Sequence, residues 1–472
     1  MKRILVFSLG PIFKDYVHGG SQKVLREVSL YLGEKGNKVD IYCVERKDNH
    51  EIFVLGKNVT VYPKLKFKET FPSSYKTSPY NLWKIMETLN NEIKKHDIFY
   101  IHDAGLNFNL LCNQDIPTII SLRDYLYPET LLGAFNFRRD KIIVNSLHTL
   151  GSLRYTIGNY IPDIEKRVKI IENGINLNLF KKTKPNKIFN LIEGKINKED
   201  KIILYPHRPD PSKGIYQALE LIRRLVFDEG IKNIKILIPR YIDEDVNNDL
   251  TPHYNKIKEI GKKLNIEKNV LFHKWIPYGL MPEYYSLGNL TLSIGNFIEA
   301  FGSNVGLESL SCGTPAIMSL VGGQRYTLPD NILPKIPYDD LDETTKIARD
   351  ILLKKKRIDI RRMRNFIKKK FSYEKMLKEY ERVFKNTKIS KPLTIKFSKV
   401  DMQKSNLIIS PWCCLTSLGI YNDYEYRYFH ISKKLSEILK EKKEFSFKDI
   451  KDESIKEEVA NLFDKGIFVS NK

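Results

Sequence analysis

Residues 299–315 read Glu299-Ala300-Phe301-Gly302-Ser303-Asn304-Val305-Gly306-Leu307-Glu308-Ser309-Leu310-Ser311-Cys312-Gly313-Thr314-Pro315. The apolar run Leu290–Ile294 before this stretch reads as a buried strand, and Ala316–Leu320 after it as another. Between them, a loop through Phe301-Gly302 leads into a helix expected to start near Ser303 and to include Val305–Ser311. Strand, loop, helix and strand in this order make a β-α-β unit, and such units build parallel sheets with helices on both faces.

The same rhythm extends in both directions. Downstream of the polar stretch Lys181–Asp200, strands are expected at Ile202–Tyr205, Ile234–Ile238 and Val270–His273, with a helix over Ile215–Phe227. Upstream, they are expected at Ile4–Phe7, Val39–Val44, Ile98–Ile101, Thr118–Leu122, Lys141–Asn145 and Val168–Ile171. Val24, Leu25, Val28 and Leu32 mark one face of the first helix, and Gly36 stands where a C-cap glycine belongs. Two doubly wound α/β domains follow, over residues 1–185 and 186–386. Residues 390–472 change character: strands at Leu407–Ser410 and Glu425–Phe429, helices at Lys433–Lys440 and Ile455–Asp464, and a last strand at Gly466–Ser470. That order suggests a small α+β module, winged-helix-like.

The 472 residues are 42% hydrophobic, which supplies sizeable cores and excludes a wholly disordered chain. Five cysteines (Cys43, Cys112, Cys312, Cys413, Cys414) show no paired C-x-x-C spacing, which argues against a disulfide scaffold or a zinc site. The start, MKRILVFSLG, has an apolar run too short for a signal peptide. No apolar run reaches the roughly 18 residues of a membrane span. A reducing cytoplasm, with or without peripheral contact at the inner membrane face, is the expected setting. The net charge of +22 is partly local, since residues 354–370 hold ten Lys or Arg and one Asp. Ile360, Met363, Ile367 and Phe371 form an apolar stripe there. A membrane-surface helix fits this pattern, and so does a helix docked on its own domain. Outside this segment the basic charge is dispersed and no recognition helix stands out, so nucleic acid is not an expected partner.

Three loops hold candidate chemistry. His18-Gly19-Gly20-Ser21 follows the first strand, where two glycines allow close backbone approach and a helix start presents N–H groups to an anion. It is not a G-x-G-x-x-G dinucleotide fingerprint. Pro206-His207-Arg208-Pro209-Asp210-Pro211-Ser212-Lys213-Gly214 follows the first strand of the second domain. Arg208 and Lys213 there would neutralise a departing diphosphate, or simply be exposed charges. In the opening stretch, Glu299 and Glu308 are acceptor-rich groups suited to sugar and ribose hydroxyls, and the N–H groups of Phe301–Asn304 suit phosphate or sugar. The alternative is ordinary acidic capping of a helix N-terminus.

Together these pieces resemble the nucleotide-sugar glycosyltransferases of the GT-B fold, specifically glycosyltransferase family 4, over roughly residues 1–386. The matching segments are Gly19-Gly20-Ser21, Tyr100-Ile101-His102-Asp103, Val144-Asn145-Ser146, Ile171-Glu172-Asn173-Gly174-Ile175 with Phe180, Arg208 with Lys213-Gly214, Glu299-Ala300-Phe301-Gly302, Glu308 with Cys312-Gly313-Thr314-Pro315, Gly322-Gly323, and Phe371-Ser372-Tyr373. The resemblance implies two Rossmann-like domains facing a cleft. Arg208 and Lys213 would bind the donor's diphosphate, Glu299 its sugar and Glu308 its ribose. Phe301, Gly302, Ser303 and Asn304 would line the donor, and Gly19 and Gly20 would approach it from the first domain. His102 would stand beside the donor sugar on the catalytic side, with Asp103 next to it toward the acceptor. Retention of anomeric configuration, no cofactor and no metal are also implied. The leaving phosphate would take the acceptor's proton.

Two departures stand out. The interval between Glu299 and Glu308 is one residue longer than the family's usual spacing, which a bulge within Gly302-Ser303-Asn304 would absorb. Where many members carry His-Asp after the strand Thr118–Leu122, this chain has Arg123-Asp124. Arg123 would hold a phosphate or an acidic acceptor, or lie on the surface. Residues 390–472 fall outside the family pattern. They faintly resemble the peptide-binding modules of enzymes that modify ribosomal peptides, which pair a leader peptide with a strand edge. A structural cap is the plainer reading. Three functions follow: a retaining glycosyltransferase acting on a glycan or lipid-linked acceptor, a peptide glycosyltransferase whose acceptor is chosen by the C-terminal module, and a non-catalytic scaffold that binds nucleotide or glycan.

Overall fold

The computed structural model describes the chain apart from residues 18, 69–76, 107–109, 112–114, 241–250, 303, 356–358, 397–399 and 472, and the side chains of 251 and 252. His18, Cys112 and Ser303 therefore lie outside the described residues. The chain forms two compact units. One comprises Met1–Asn173, Glu374–Pro411 and Ser432–Lys472; the other comprises Gly174–Tyr373 and Trp412–Ile431.

The first unit is built on an eight-stranded sheet. Its strands are β1 (Arg3–Ser8), β2 (Lys38–Val44), β3 (Phe53–Gly56), β4 (Val59–Leu65), β5 (Ile98–His102), β6 (Thr118–Leu122), β7 (Lys141–Val144) and β8 (Val168–Ile170). They run in the order β3-β4-β2-β1-β5-β6-β7-β8, all parallel except β3 against β4. The central strands are continuous apolar runs because both faces are covered: Ile4–Phe7 and Ile98–His102 are wholly buried. β3 and β4 were not read from the sequence. In Val59–Leu65 every second residue is buried, the alternation of a strand with one covered face. Helix Gly20–Glu34 buries Val24, Leu25, Val28 and Leu32, and Gly36 follows it at φ +88°. The Gly36 N–H donates to the Gly33 carbonyl at 3.0 Å, closing the helix as the glycine position implies. Helix Tyr373–Asn386 contributes to this unit: Tyr31 donates to Glu381 at 2.8 Å, and Lys2 donates to the Phe384 carbonyl at 3.0 Å.

The second unit holds a seven-stranded sheet of β9 (Ile192–Glu193), β10 (Lys201–Leu204), β11 (Ile234–Pro239), β12 (Val270–His273), β13 (Leu290–Ser293), β14 (Ala316–Ser319) and β15 (Lys335–Ile336). The order is β15-β14-β13-β10-β11-β12-β9, parallel except for β9 against β12. Both doubly wound sheets expected from the sequence are present. Helix Ile360–Lys370 turns Met363 and Ile367 into the core beside Phe180, Leu310 and Phe371, and Arg364 donates to the carbonyls of Phe180 and Ser311. Met363, Ile367 and Phe371 of its apolar stripe are thus packed within its own unit, as the docked reading of this helix expects, while Ile360 stays exposed. Among the described residues no helix is long and apolar enough to cross a membrane.

The C-terminal residues divide between the units. β16 (Asn406–Ile409), β20 (Phe445–Ser446) and β21 (Phe468–Asn471) form an antiparallel sheet in the first unit, in the order β20-β16-β21, with helices Lys433–Glu441 and Glu453–Asp464. Between them in sequence, β17 (Cys413–Thr416), β18 (Gly419–Asn422) and β19 (Arg427–Phe429) form an antiparallel meander that belongs to the second unit.

Candidate active site

In the second unit, β14, β13 and β10 are neighbours, so the loops at their carboxyl ends are neighbours too. This is the edge where doubly wound sheets bind ligands. The loop after β10 carries Arg208 and Lys213. Asp210 fixes its end by accepting from the Ser212 N–H at 2.8 Å, which sets a single 3₁₀ turn over Pro211–Lys213. The loop after β13 carries Glu299. The two loops touch through glycine: a Cβ on Gly295 would lie 2.2 Å from the Ser212 carbonyl oxygen, and the Phe297 N–H donates to that oxygen at 2.9 Å. Only glycine at 295 permits this approach.

The approach brings Lys213 Nζ to 2.7 Å from Glu299 Oε1, and over the Phe297 ring at 3.5 Å from its centroid. Their side chains are 17% and 29% exposed, so the pair is sheltered but open on one side. Burial alone would raise the Glu299 carboxyl, but the Lys213 charge and hydrogen bond hold it below its ordinary value. Beneath the pair, His207 is buried and pushed down to about 4 by desolvation and by Lys213, so its ring is neutral at pH 7. Arg208 lies 4.0 Å from Asp210 and keeps 37% of its side chain exposed. Of the loop's two cations it is the less closely paired.

Phe301 is buried against Phe371, with ring centroids 5.8 Å apart. Gly302 takes φ +92°, the left-handed region, just before helix Asn304–Ser311. Glu308 lies inside that helix, 9% exposed, and accepts from the Tyr285 hydroxyl at 3.0 Å. The structure therefore brings Lys213 and Glu299 together, and seats Glu308 inside the following helix on a different partner.

The first-unit candidates form a second cluster, at the carboxyl ends of β1, β5 and β6. Gly19 caps helix Gly20–Glu34 from an extended conformation, without a side-chain cap. His102 ends β5 and is 1% exposed. Its Nδ1 is 2.9 Å from the Tyr100 hydroxyl, which shares its strand face at a spacing of two. Its Nε2 is 2.9 Å from Ser21 Oγ and 3.1 Å from the Ser21 carbonyl. A carbonyl only accepts, so Nε2 carries the proton and Nδ1 accepts from Tyr100. Ser21 in turn donates to Asp103 at 2.9 Å. Burial, then Arg123, lowers His102 to about 3, which leaves it neutral.

Asp103 adopts φ +54°, a left-handed conformation that Asp tolerates better than most residues. It accepts from the Arg123 N–H at 2.9 Å and from Thr130 at 3.2 Å, and desolvation raises its carboxyl despite these bonds. Arg123 is not on the surface. It is 7% exposed and donates to the Tyr380 hydroxyl at 3.0 Å and to Asn173. Both of its terminal guanidinium nitrogens are thus directed into the fold. Sequence reasoning did not single out Gly295, Tyr285 or Ser21's link to Asp103. A lone glycine directly after the apolar run Leu290–Ile294 was the available signal for Gly295. Among the described residues no group of three or more His, Cys, Asp or Glu could hold a metal ion.

Two family profiles match the chain: Glycosyl transferases group 1 over residues 187–336, and Glycosyltransferase Family 4 over residues 18–179. A D-inositol 3-phosphate glycosyltransferase from Streptosporangium roseum is 24% identical over 166 residues, which is 35% of this chain and 37% of that protein. The match thus spans little more than a third of that relative's length. One component of the phosphatidylinositol N-acetylglucosaminyltransferase of Arabidopsis thaliana is 23% identical over 382 residues, 78% of each chain. Among solved structures, Anabaena Alr3699/HepE in complex with UDP-glucose superposes with a TM-score of 0.60 at 15% identity, covering 82% of this chain and 100% of that one. That likeness is one of fold.

Proposed function

We propose, from the chain's membership of the group 1 glycosyltransferases of GT-B fold, that it transfers a sugar from a nucleotide diphosphate sugar to a glycan or lipid-linked acceptor, with retention of configuration. The observation that carries this reading is the Lys213–Glu299 pair at 2.7 Å, at the carboxyl edge of the second sheet. A carboxylate held ionised there accepts hydrogen bonds from sugar hydroxyls. Lys213, with Arg208 beside it on the same loop, meets the diphosphate. As the bond from the anomeric carbon to the phosphate oxygen breaks, negative charge builds on that oxygen, and fixed cations stabilise it more than they stabilise the intact donor. The acceptor oxygen bonds to the anomeric carbon on the same face, and its proton passes to the departing phosphate. In this reading the two cations do the work that other transferases give to a metal ion.

Supporting the donor class is the UDP-glucose that Alr3699/HepE holds. Supporting a lipid-linked or polyol acceptor are the names of the two relatives, both of which specify inositol-containing partners. The test is a thermal-shift panel of nucleotide diphosphate sugars, UDP-glucose first, followed by product analysis with the donor that binds. A ligand held only by the folded state raises the melting temperature as its concentration passes Kd. The expected result is a shift with one donor, reduced in Arg208→Ala. A well-folded sample that shifts with no donor at millimolar concentration would point to the non-catalytic scaffold.

A further inference from the structure

The meander β17–β19 lies outside both matched family regions, yet it belongs to the donor-side unit. Its turn is fixed locally: Asn422 accepts from the Tyr424 N–H at 2.9 Å, and the Asp423 N–H donates to the Trp412 carbonyl at 2.9 Å. Asp423 is fully buried, and its carboxylate does two things. It pairs with Arg325, whose side chain is 6% exposed, and it accepts from the Gly322 N–H at 3.2 Å. The next peptide N–H, that of Gly323, donates to the backbone carbonyl of Glu299 at 2.6 Å. The contact is close enough to exclude side chains: a Cβ on Gly322 would lie 2.9 Å from that same carbonyl oxygen, and one on Gly323 would lie 2.3 Å from the Ala300 carbonyl oxygen. A second tether runs from Tyr428, which donates to the Tyr338 carbonyl at 2.6 Å. Tyr338 accepts from Gln217 on helix Ile215–Arg223, the helix that follows Lys213.

We infer that Asp423 is a positioning residue for Glu299: it fixes the Gly322-Gly323 peptides, and they fix the backbone from which Glu299 reaches Lys213. Residues 412–431 are then a working part of the donor-binding unit and not a portion of a separate acceptor-selecting module. This inference rests on the donor-site reading above, because it concerns the carboxylate that reading assigns to the donor sugar. A buried carboxylate is costly unless it is paired and hydrogen-bonded. Arg325 and the Gly322 N–H supply that pairing through one of the two carboxylate oxygens, and Tyr421 of the meander also hydrogen-bonds Asn296 in the Glu299 loop.

The test uses the full-length protein with UDP and UDP-glucose as probes. UDP carries no sugar for Glu299 to hold, so loss of positioning separates the two. Asp423→Ala is expected to slow UDP-glucose turnover about 100-fold, with UDP affinity within about twofold of wild type. Asp423→Asn keeps an acceptor for the Gly322 N–H and is expected to lose about tenfold. Tyr155→Phe removes a hydrogen bond to Asn471 in the first unit and is expected to match wild type. Parallel loss of UDP and UDP-glucose affinity in Asp423→Ala would mean a general structural role and overturn the inference, as would unchanged turnover. Should Asp423→Ala fail to fold, Asp423→Asn decides: wild-type turnover there overturns the inference, and a selective loss supports it. A wild type that neither binds nor consumes UDP-glucose overturns the donor reading and this inference with it. Normal wild-type turnover with an indifferent Asp423 overturns this inference alone.

Discussion

The two candidate clusters have the same address, the carboxyl edge of a parallel sheet, but opposite physics. In the first unit, both nitrogens of His102 and both oxygens of Asp103 are hydrogen-bonded within the fold, and the residues around them are buried. In the second, Lys213 and Glu299 form a charged pair that is open on one side, and Arg208 is held only loosely at 4.0 Å. Buried groups whose hydrogen bonds run within the fold resist change and define a shape. A half-sheltered ion pair retains donors and acceptors for a ligand, and its charges are strengthened when a ligand displaces water. Under the proposed function the second cluster supplies the donor's binding chemistry, while the groups of the first are bonded to one another within the fold.

The largest effect should come from removing the second cluster's cation. Lys213→Ala is expected to lower transfer by about 10²–10³-fold, read in steady-state kinetics, because the departing phosphate loses its charge partner and Glu299 loses the cation that holds its carboxyl below the ordinary value. Next is the loop contact that assembles the pair. Gly295→Ala places a Cβ 2.2 Å from the Ser212 carbonyl oxygen, so the loops must part. Transfer should fall by about 10–100-fold, with a lower melting temperature.

The first cluster should answer to pH rather than to ligand. Unfolded histidine takes its proton near 6.5, whereas His102 takes it only near 3. The unfolded chain therefore binds the proton first. The stability that neutral His102 supports is complete above pH 6.5 and is lost as pH falls toward 3. Between pH 7.5 and 5 the residue should cost the fold about 2 kcal/mol, visible by urea unfolding as a steeper decline in wild type than in His102→Gln. The smallest effect is expected at Arg208, exposed and loosely paired: Arg208→Ala should weaken donor binding about tenfold, with little change in melting temperature of the free protein.

The same contrast explains what could be read from the sequence. Strands buried on both faces, such as Ile98–His102 and Thr118–Leu122, are unbroken apolar runs, and they were legible within a residue or two. Strand Val59–Leu65, covered on one face, carries Thr60, Tyr62 and Lys64 between its buried residues and did not stand out, and of the meander's strands, only three or four residues long, the sequence pointed to Arg427–Phe429 alone, within the expected strand Glu425–Phe429. Arg208, Lys213 and Glu299 were legible as types in loops after strands, but their contact depends on Gly295 and Gly214, separated from each other by 80 intervening residues. Arg123 looked equally suited to a ligand or to solvent; its partners, Tyr380 and Asn173, are distant in sequence and only the fold reveals them. The link from Asp423 to Arg325 and Gly322 is of the same long-range kind.

The measurement that tests the central claim most directly is calorimetric titration of wild type and Glu299→Gln with UDP-glucose and with UDP. If Glu299 holds the donor sugar beside a cation-lined diphosphate site, wild type binds both. Glu299→Gln then loses affinity for UDP-glucose by about tenfold or more and binds UDP as before. Equal affinity of the two proteins for UDP-glucose would contradict the assignment of Glu299, and with it the claim that the Lys213–Glu299 pair is the donor site.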